Sequence, residues 1–461
     1  MKQSFVSLIS RRTCLLGATA LLLSWGSALA QTPREENRSP LSLEECIRLA
    51  HQQSLVMQQA QIEQTTQSIA AERARNQYLP QISASIGQSI DLGRSADKNG
   101  IMQDRSSTAT GMGVSASMEL FSGLRRPAQV RAAELNLQAA TLRLQKAQQE
   151  ISLAVAQYFY NLLYQQELER VARQQVSLTG QLINKAQAMV GSGKWSQAQL
   201  SELETQWAHE KLNLKETENK TQLARFDLMQ LLNLPANHPP LSIEAPNVTD
   251  MLLSARGKLT AQTDASEKAV ALHPAIRAAA LQTESARQEI NIARSGYMPS
   301  VTLSAGYNNS YFYQLDKEYR LLNIPFGDQL KNNGRYSVSL SVSIPIFSRF
   351  ETRNAVRSAQ QRVLLSQLDE QQAQRTISRE IRLALLNAQA AESKIEVAQT
   401  AVKQASEALQ FAQSGMEAGR ISTYDFAQAK SKLYTAQVEE LQALYDFIYK
   451  SLVLDFYTTQ P

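Results

Sequence analysis

Residues 293–306 read Ala-Arg-Ser-Gly-Tyr-Met-Pro-Ser-Val-Thr-Leu-Ser-Ala-Gly, and residues 74–87 read Ala-Arg-Asn-Gln-Tyr-Leu-Pro-Gln-Ile-Ser-Ala-Ser-Ile-Gly. A shift of 219 residues lays Ala74-Arg75 on Ala293-Arg294, Tyr78-x-Pro80 on Tyr297-x-Pro299 and Gly87 on Gly306. In both stretches a helical run stops at Tyr-x-Pro, because proline lacks a backbone donor and biases its predecessor towards extended conformations. In both, an alternating segment follows. Downstream the shift becomes 226: Phe121-Ser122 meets Phe347-Ser348, Ile151-Ser152 meets Ile377-Ser378, Gly193 meets Gly419 and Ser196 meets Ser422. A period this long reads as a duplicated unit and not as a solenoid.

Each copy has the same expected order. A helix runs over about 43–77 and 264–296. Strands follow at about 80–93 and 110–121, and at 299–313 and 334–347. Ile82, Ala84 and Ile86 alternate with Ser83 and Ser85; Val338, Leu340, Val342 and Ile344 alternate with Ser337, Ser339, Ser341 and Ser343. That period of two describes strands facing two different environments. A long helix then runs from about 124–128 to 189, and from 350 to 416. Leu144, Ile151, Val155, Tyr158 and Leu162 give it threes-and-fours spacing, as coiled-coil packing requires. Glycine-rich turns near Gly193 and Gly419 lead into last helices ending near 233 and 457. The organisation is therefore repeat 1 over 43–235, a linker or equatorial segment over 236–263, and repeat 2 over 264–461. A segment at 31–42 precedes them.

The first thirty residues read as a cleaved secretory signal: Lys2, Arg11 and Arg12, an apolar run from Cys14 to Trp25, then Ala28-Leu29-Ala30. The chain nets +5 and these three cations leave with the signal, so the remainder nets +2. That balance argues against nucleic-acid binding. Cys46 is the one cysteine left, which excludes an intrachain disulfide. No later run reaches the roughly 18 apolar residues of a membrane helix. His51, His209, His238 and His273 are scattered, and His209-Glu210 lacks the second histidine of a zinc-protease helix. The methionines form no cluster. The sequence offers no catalytic constellation, metal set or cofactor motif, so a non-enzymatic chain is expected.

At 1.5 Å per residue the long helix spans roughly 95–100 Å, and the two shorter helices of a copy, stacked end to end, match it. Such a rod has little core of its own and needs neighbours. Four strands cannot close a barrel, whereas membrane-spanning sheets must close. Three chains would supply twelve. Tyr307, Tyr311, Phe312, Tyr313 and Tyr336 flank the second hairpin and suit an interfacial aromatic girdle.

Both Tyr-x-Pro ends, both Phe-Ser junctions and both turns, Gly-Ser-Gly-Lys-Trp-Ser and Glu-Ala-Gly-Arg-Ile-Ser, resemble the TolC-like outer-membrane efflux channels. The resemblance implies a mainly α fold with a β-barrel portion. It also implies a homotrimer with a twelve-stranded barrel in outer-membrane lipid on a periplasmic α-helical coiled-coil tunnel. It implies a passive exit duct for small molecules in a Gram-negative bacterium, docking onto a periplasmic adaptor (membrane fusion) protein and an inner-membrane pump of RND or ABC type. A type I protein-secretion component stays open as an alternative, and so does a soluble periplasmic coiled-coil scaffold.

The same resemblance places the turns at the closed periplasmic end. Gly193, Lys194, Ser196, Gly419, Arg420 and Ser422 become the adaptor-docking positions. Ser196 with Gln199, and Ser422 with Asp425, also read as helix N-caps with an N3 partner. Asp425 stands where similar channels carry a pore-constricting acid, and three copies would make a carboxylate ring. The pattern departs at Gln428, where a second acid would follow, and at Gln199, the matching position of the first copy.

Overall fold

Ser42 starts the helical body with a capping box: its hydroxyl accepts from the Glu45 N–H, and the Glu45 carboxylate takes the Ser42 N–H. The computed structural model describes residues 40–459 apart from 97–98, 236–238, 240, 262–265 and 319. Ser42–Pro461 form one contact unit. The expected signal segment lies outside the described residues. No helix among them is long and apolar enough to cross a membrane.

The elements are α1 (Leu43–Gln53), α2 (Leu55–Asn76), β1 (Gln81–Asp91), β2 (Arg94–Ala96), β3 (Met102–Asp104), β4 (Ser107–Ser122), α3 (Arg125–Gly191) and α4 (Gln197–Leu231). Then come α5 (Val248–Ala261), α6 (Ser266–Leu272), α7 (Pro274–Arg294), β5 (Ser300–Gln314), α8 (Phe326–Asn332), β6 (Arg335–Ser343), α9 (Glu351–Glu417) and α10 (Thr423–Thr459). The fold is mainly helical with one principal sheet.

The single first helix expected in each half is two helices. Ser54 is extended between α1 and α2, and His273 is extended between α6 and α7, where Pro274 disfavours an α conformation at its predecessor. The segment read as a linker carries α5. Its Ala255 and Leu259 pack among Ala384, Ala388 and Ala391 of α9 and Phe447 of α10. Small residues at threes and fours on α9 let these helices approach closely.

The long helices α3 and α9 are each 67 residues, roughly 100 Å at 1.5 Å per residue. In its upper half α3 lies between α2 and α7; in its lower half it lies between α4 and α10. Helix α9 flanks α7 and α10 on their other side. Two columns of shorter helices thus alternate with two long ones. The stacking joints fall at the helix breaks. Asn233, just past α4, donates to the Gln53 carbonyl at 3.1 Å. The Tyr457 ring near the end of α10 stacks on His273 at 6.1 Å.

The sheet runs β1-β4-β5-β6, antiparallel throughout. Its two faces differ chemically. Ile82, Ala84 and Ile86 share a face with Met112, Val114, Val301, Leu303, Tyr307, Tyr336, Val338 and Leu340. The other face carries Ser83, Ser85, Ser115, Ser304, Ser339 and Ser341. Large apolar residues on the first face stay exposed, Val338 at 77%. Strand β6 stops at Ser343, short of the expected 347, since Pro345 cannot donate to a ladder.

Candidate functional site: the paired turns at the far end of the long helices

Both long helices end in the same backbone device. Gly193 has φ +71° and its N–H reaches the Val190 carbonyl at 2.9 Å, while the Lys194 N–H reaches Met189 at 2.9 Å. Gly419 has φ +69°, with Gly419 to Met416 at 3.0 Å and Arg420 to Gly415 at 2.8 Å. This left-handed closure satisfies the last carbonyls of each helix and favours glycine.

The next helices open on caps. Ser196 donates its N–H to Gln199 Oε1 at 2.9 Å and accepts the Gln199 N–H on its hydroxyl at 3.3 Å. Ser422 donates its hydroxyl to Asp425 Oδ2 at 2.8 Å and accepts the Asp425 N–H at 3.1 Å. Asp425 therefore sits at N3, where a carboxylate is stabilised by the helix N-terminus. Asp425 and Gln428 are exposed and one turn apart on α10; Gln199 is half-buried. Lys194 and Arg420 are exposed and form no ion pair among the described residues.

The fold brings the two turns side by side. Leu182 of α3 packs with Ala412 and Met416 of α9 and Phe426 of α10, with Trp195 of the first turn against them. Lys185 pairs with Glu417 at 2.8 Å across the helix ends. That hydrogen bond holds the Glu417 carboxyl below its ordinary range. The Thr423 hydroxyl donates to the Glu202 carboxylate, tying α10 to α4.

Two turns above lies a buried ionic cluster that the sequence reading missed. Lys430 of α10 is 2% exposed. Its ammonium meets Glu210 Oε1 of α4 at 2.9 Å and the Gln175 carbonyl of α3 at 3.2 Å, and it also bonds the Thr179 hydroxyl. Gln206 donates to the same Glu210 oxygen at 3.0 Å. Burial pushes the Lys430 pKa down, and Glu210 opposes that shift. The signal was present: Thr423, Phe426, Lys430 and Leu433 occupy one helical stripe and all are buried, so Lys430 is the cation in an otherwise non-ionic seam. Among the described residues no three His, Cys, Asp or Glu are placed to hold a metal.

The sequence profile of the outer membrane efflux protein family matches residues 47–234 and 265–457. The chain is 23% identical over 403 residues to the outer membrane protein TolC of Vibrio cholerae, covering 84% of this chain and 85% of that protein. It is 25% identical over 390 residues to the outer membrane protein TolC of Escherichia coli, covering 82% and 74%. The fold resembles the Campylobacter jejuni CmeC outer membrane channel at a TM-score of 0.72 and 16% identity, covering 90% of this chain and 85% of that one.

Proposed function

This chain belongs to the outer membrane efflux protein family, and from that premise we propose that it is the passive exit duct of a tripartite export system. Three copies close a twelve-stranded barrel over a helical tunnel. A periplasmic adaptor protein and an inner-membrane pump complete the path and supply the energy.

The distribution of exposed apolar side chains on the rim helices carries this reading. Within the chain, Ala139 and Leu142 of α3 are buried against Ala278 and Leu281 of α7. The residues 226 further on are Leu365 and Leu368 of α9, each 60% exposed; the residue 219 before Leu281 is Ile62 of α2, 66% exposed. The rim thus presents both halves of a contact that the interior already makes once. Leu212, Leu223 and Phe226 of α4 and Leu383, Leu386 and Val397 of α9 extend the two exposed stripes. Unpartnered apolar surface of this extent marks an association face. A second copy of the chain, related by the same geometry, fills it.

The sheet supports the same assembly. Among the described residues its edge strands β1 and β6 are unpaired on their outer sides, which a closed barrel abolishes. The serine face lines an aqueous lumen and the isoleucine, valine and tyrosine face meets lipid. At the other end Asp425 forms a carboxylate ring at the constriction. Lys194 and Arg420 contact the adaptor.

Leu365→Glu puts a carboxylate into the proposed subunit contact, and Leu365→Met keeps it apolar. The expected result is loss of the trimer and of drug resistance for the first, and retention of both for the second. Unchanged drug sensitivity with loss of a secreted protein would assign the duct to protein secretion instead. A fully active Leu365→Glu channel would contradict the assembly.

A further inference from the structure

We infer that the loop between β5 and β6 is a preformed outer-leaflet anchor, whose apolar tip inserts among lipid acyl chains beside phosphate-bearing headgroups. The inference rests on reading the sheet as part of an outer-membrane barrel.

Strand β5 outruns β6: pairing ends at Asn308↔Arg335, whereas β5 continues to Gln314. Side-chain amides of the loop occupy the vacated edge. Asn333 donates to the Ser310 carbonyl at 2.6 Å. Gln329 accepts the Phe312 N–H at 2.9 Å and donates to the Phe312 carbonyl at 2.8 Å. Asn323 accepts the Gln314 N–H at 2.7 Å and donates to its carbonyl at 2.9 Å. Alternate residues of β5 are thus paired as a strand would pair them. A neighbouring strand finds no free edge there, which disfavours a second copy as the occupant.

The loop is also folded onto one particular face. Tyr307, Asn309 and Tyr311 lie on the apolar face of β5 with Val301 and Leu303. Helix α8 covers that face: Phe326 packs edge-on against Tyr311 at 5.1 Å, and Asn309, buried beneath it, donates to the Leu330 carbonyl at 2.7 Å. Val301 to Tyr311 is eleven residues of strand, which is about the length that spans a hydrocarbon core when tilted. Helix α8 therefore stands at the upper boundary of the band, outside the barrel. Leu321, Leu322 and Ile324, just before this helix, and Phe326 at its start are all exposed, Leu321 at 96%. Arg320 and Lys331 flank this run, both exposed and without an ion pair among the described residues. Asp328 lies between them in sequence, and Asp316, Lys317 and Glu318 precede Arg320, so it is the two cations beside the apolar run and not a net loop charge that bear on the headgroups. An apolar tip continuous with a lipid-facing wall, with Arg320 and Lys331 at its ends, fits acyl chains under phosphate-bearing headgroups.

The test places an indole at the tip, as Leu322→Trp, in the full chain reconstituted into phosphatidylcholine vesicles, with the parent protein as background for Trp195 and Trp207. The expected result is a blue-shifted emission that brominated acyl chains quench and aqueous iodide does not. Added phosphatidylglycerol should deepen the bromine quenching, and Arg320→Gln with Lys331→Gln should remove that increment. Quenching by iodide would place the tip in water and overturn the anchor. Shielding from both quenchers would mean protein covers the tip and would overturn it equally. No response to phosphatidylglycerol would remove the headgroup contact. Conductance of the same vesicles separates the cases: a conducting channel with an unquenched indole sinks the anchor alone, whereas failure to insert sinks it together with the barrel reading.

Discussion

Leu124 and Phe350, 226 residues apart, adopt the same left-handed backbone immediately before the two long helices: φ 63°, ψ 15° at Leu124 and φ 62°, ψ 12° at Phe350. The residues before them share it too, Gly123 at φ 62° and Arg349 at φ 51°. The strand-to-helix corner is thus one backbone conformation written twice, once with glycine and once with arginine.

That difference predicts opposite effects of substitution. A Cβ at Gly123 would meet Met298 Cβ at 2.7 Å and the Ser295 carbonyl at 2.8 Å. Gly123→Ala should cost on the order of 2 kcal/mol or more, from left-handed strain and overpacking. Arg349→Gly relieves the strain at the equivalent corner and should cost little or gain up to about 1 kcal/mol. The temperature at which the detergent-solubilised oligomer dissociates reads both.

Lys430 and Glu210 form a pair with side chains 3% and 12% exposed. Removing one partner leaves the other charge buried, so Lys430→Ala should destabilise by about 3–5 kcal/mol. Lys430→Met combined with Glu210→Gln should cost much less. The pH dependence has a definite sign. Burial outweighs Glu210 and lowers the folded-state Lys430 pKa, so the charged form is penalised in the native state at neutral pH. That penalty lifts as pH rises from the depressed value towards the ordinary lysine value of about 10.4. Stability followed by circular dichroism should gain over that alkaline window in the parent, and the gain should vanish in the double variant.

Asp425 combines a cap with an exposed charge. Asp425→Asn keeps an acceptor for the Ser422 hydroxyl and removes the charge; Asp425→Ala removes both and should cost about 1 kcal/mol of helix capping. Both should weaken divalent-cation block in planar bilayers to the same extent. Block that survives Asp425→Asn would take the carboxylate out of the pore.

Much of the helical part was legible in the sequence because its cues are local. Tyr-x-Pro, Phe-Ser, the turn glycines and the period of two each act through proline, glycine or side-chain alternation. Where local cues fell short, tertiary contact decides. Ser54 breaks the first helix where Asn233 of a distant helix end meets Gln53. Helix α5 is defined by its seat on α9 and α10. Helix α8 is held by Gln329 against a strand end. At the paired turns, Gln199 and Asp425 were readable as cap partners from spacing alone. Thr423 with Glu202, Lys185 with Glu417 and Lys430 with Glu210 join residues more than 200 positions apart, and no single-sequence pattern specifies such pairs.

Closure of the sheet between subunits is tested most directly by one cysteine pair. Ser117 of β4 lies opposite Ser304 of β5. Carried 226 residues on and 219 back, that register sets Ser343 of one protomer opposite Ser85 of its neighbour, across a spacing of roughly 4.5–5.5 Å between Cα atoms, within reach of a disulfide. The native Cys46 is buried and stays silent. Oxidation of Ser85→Cys combined with Ser343→Cys should lock a covalent trimer on a non-reducing gel, and neither single variant should. A ladder that stops at monomer or dimer would contradict the twelve-stranded closure.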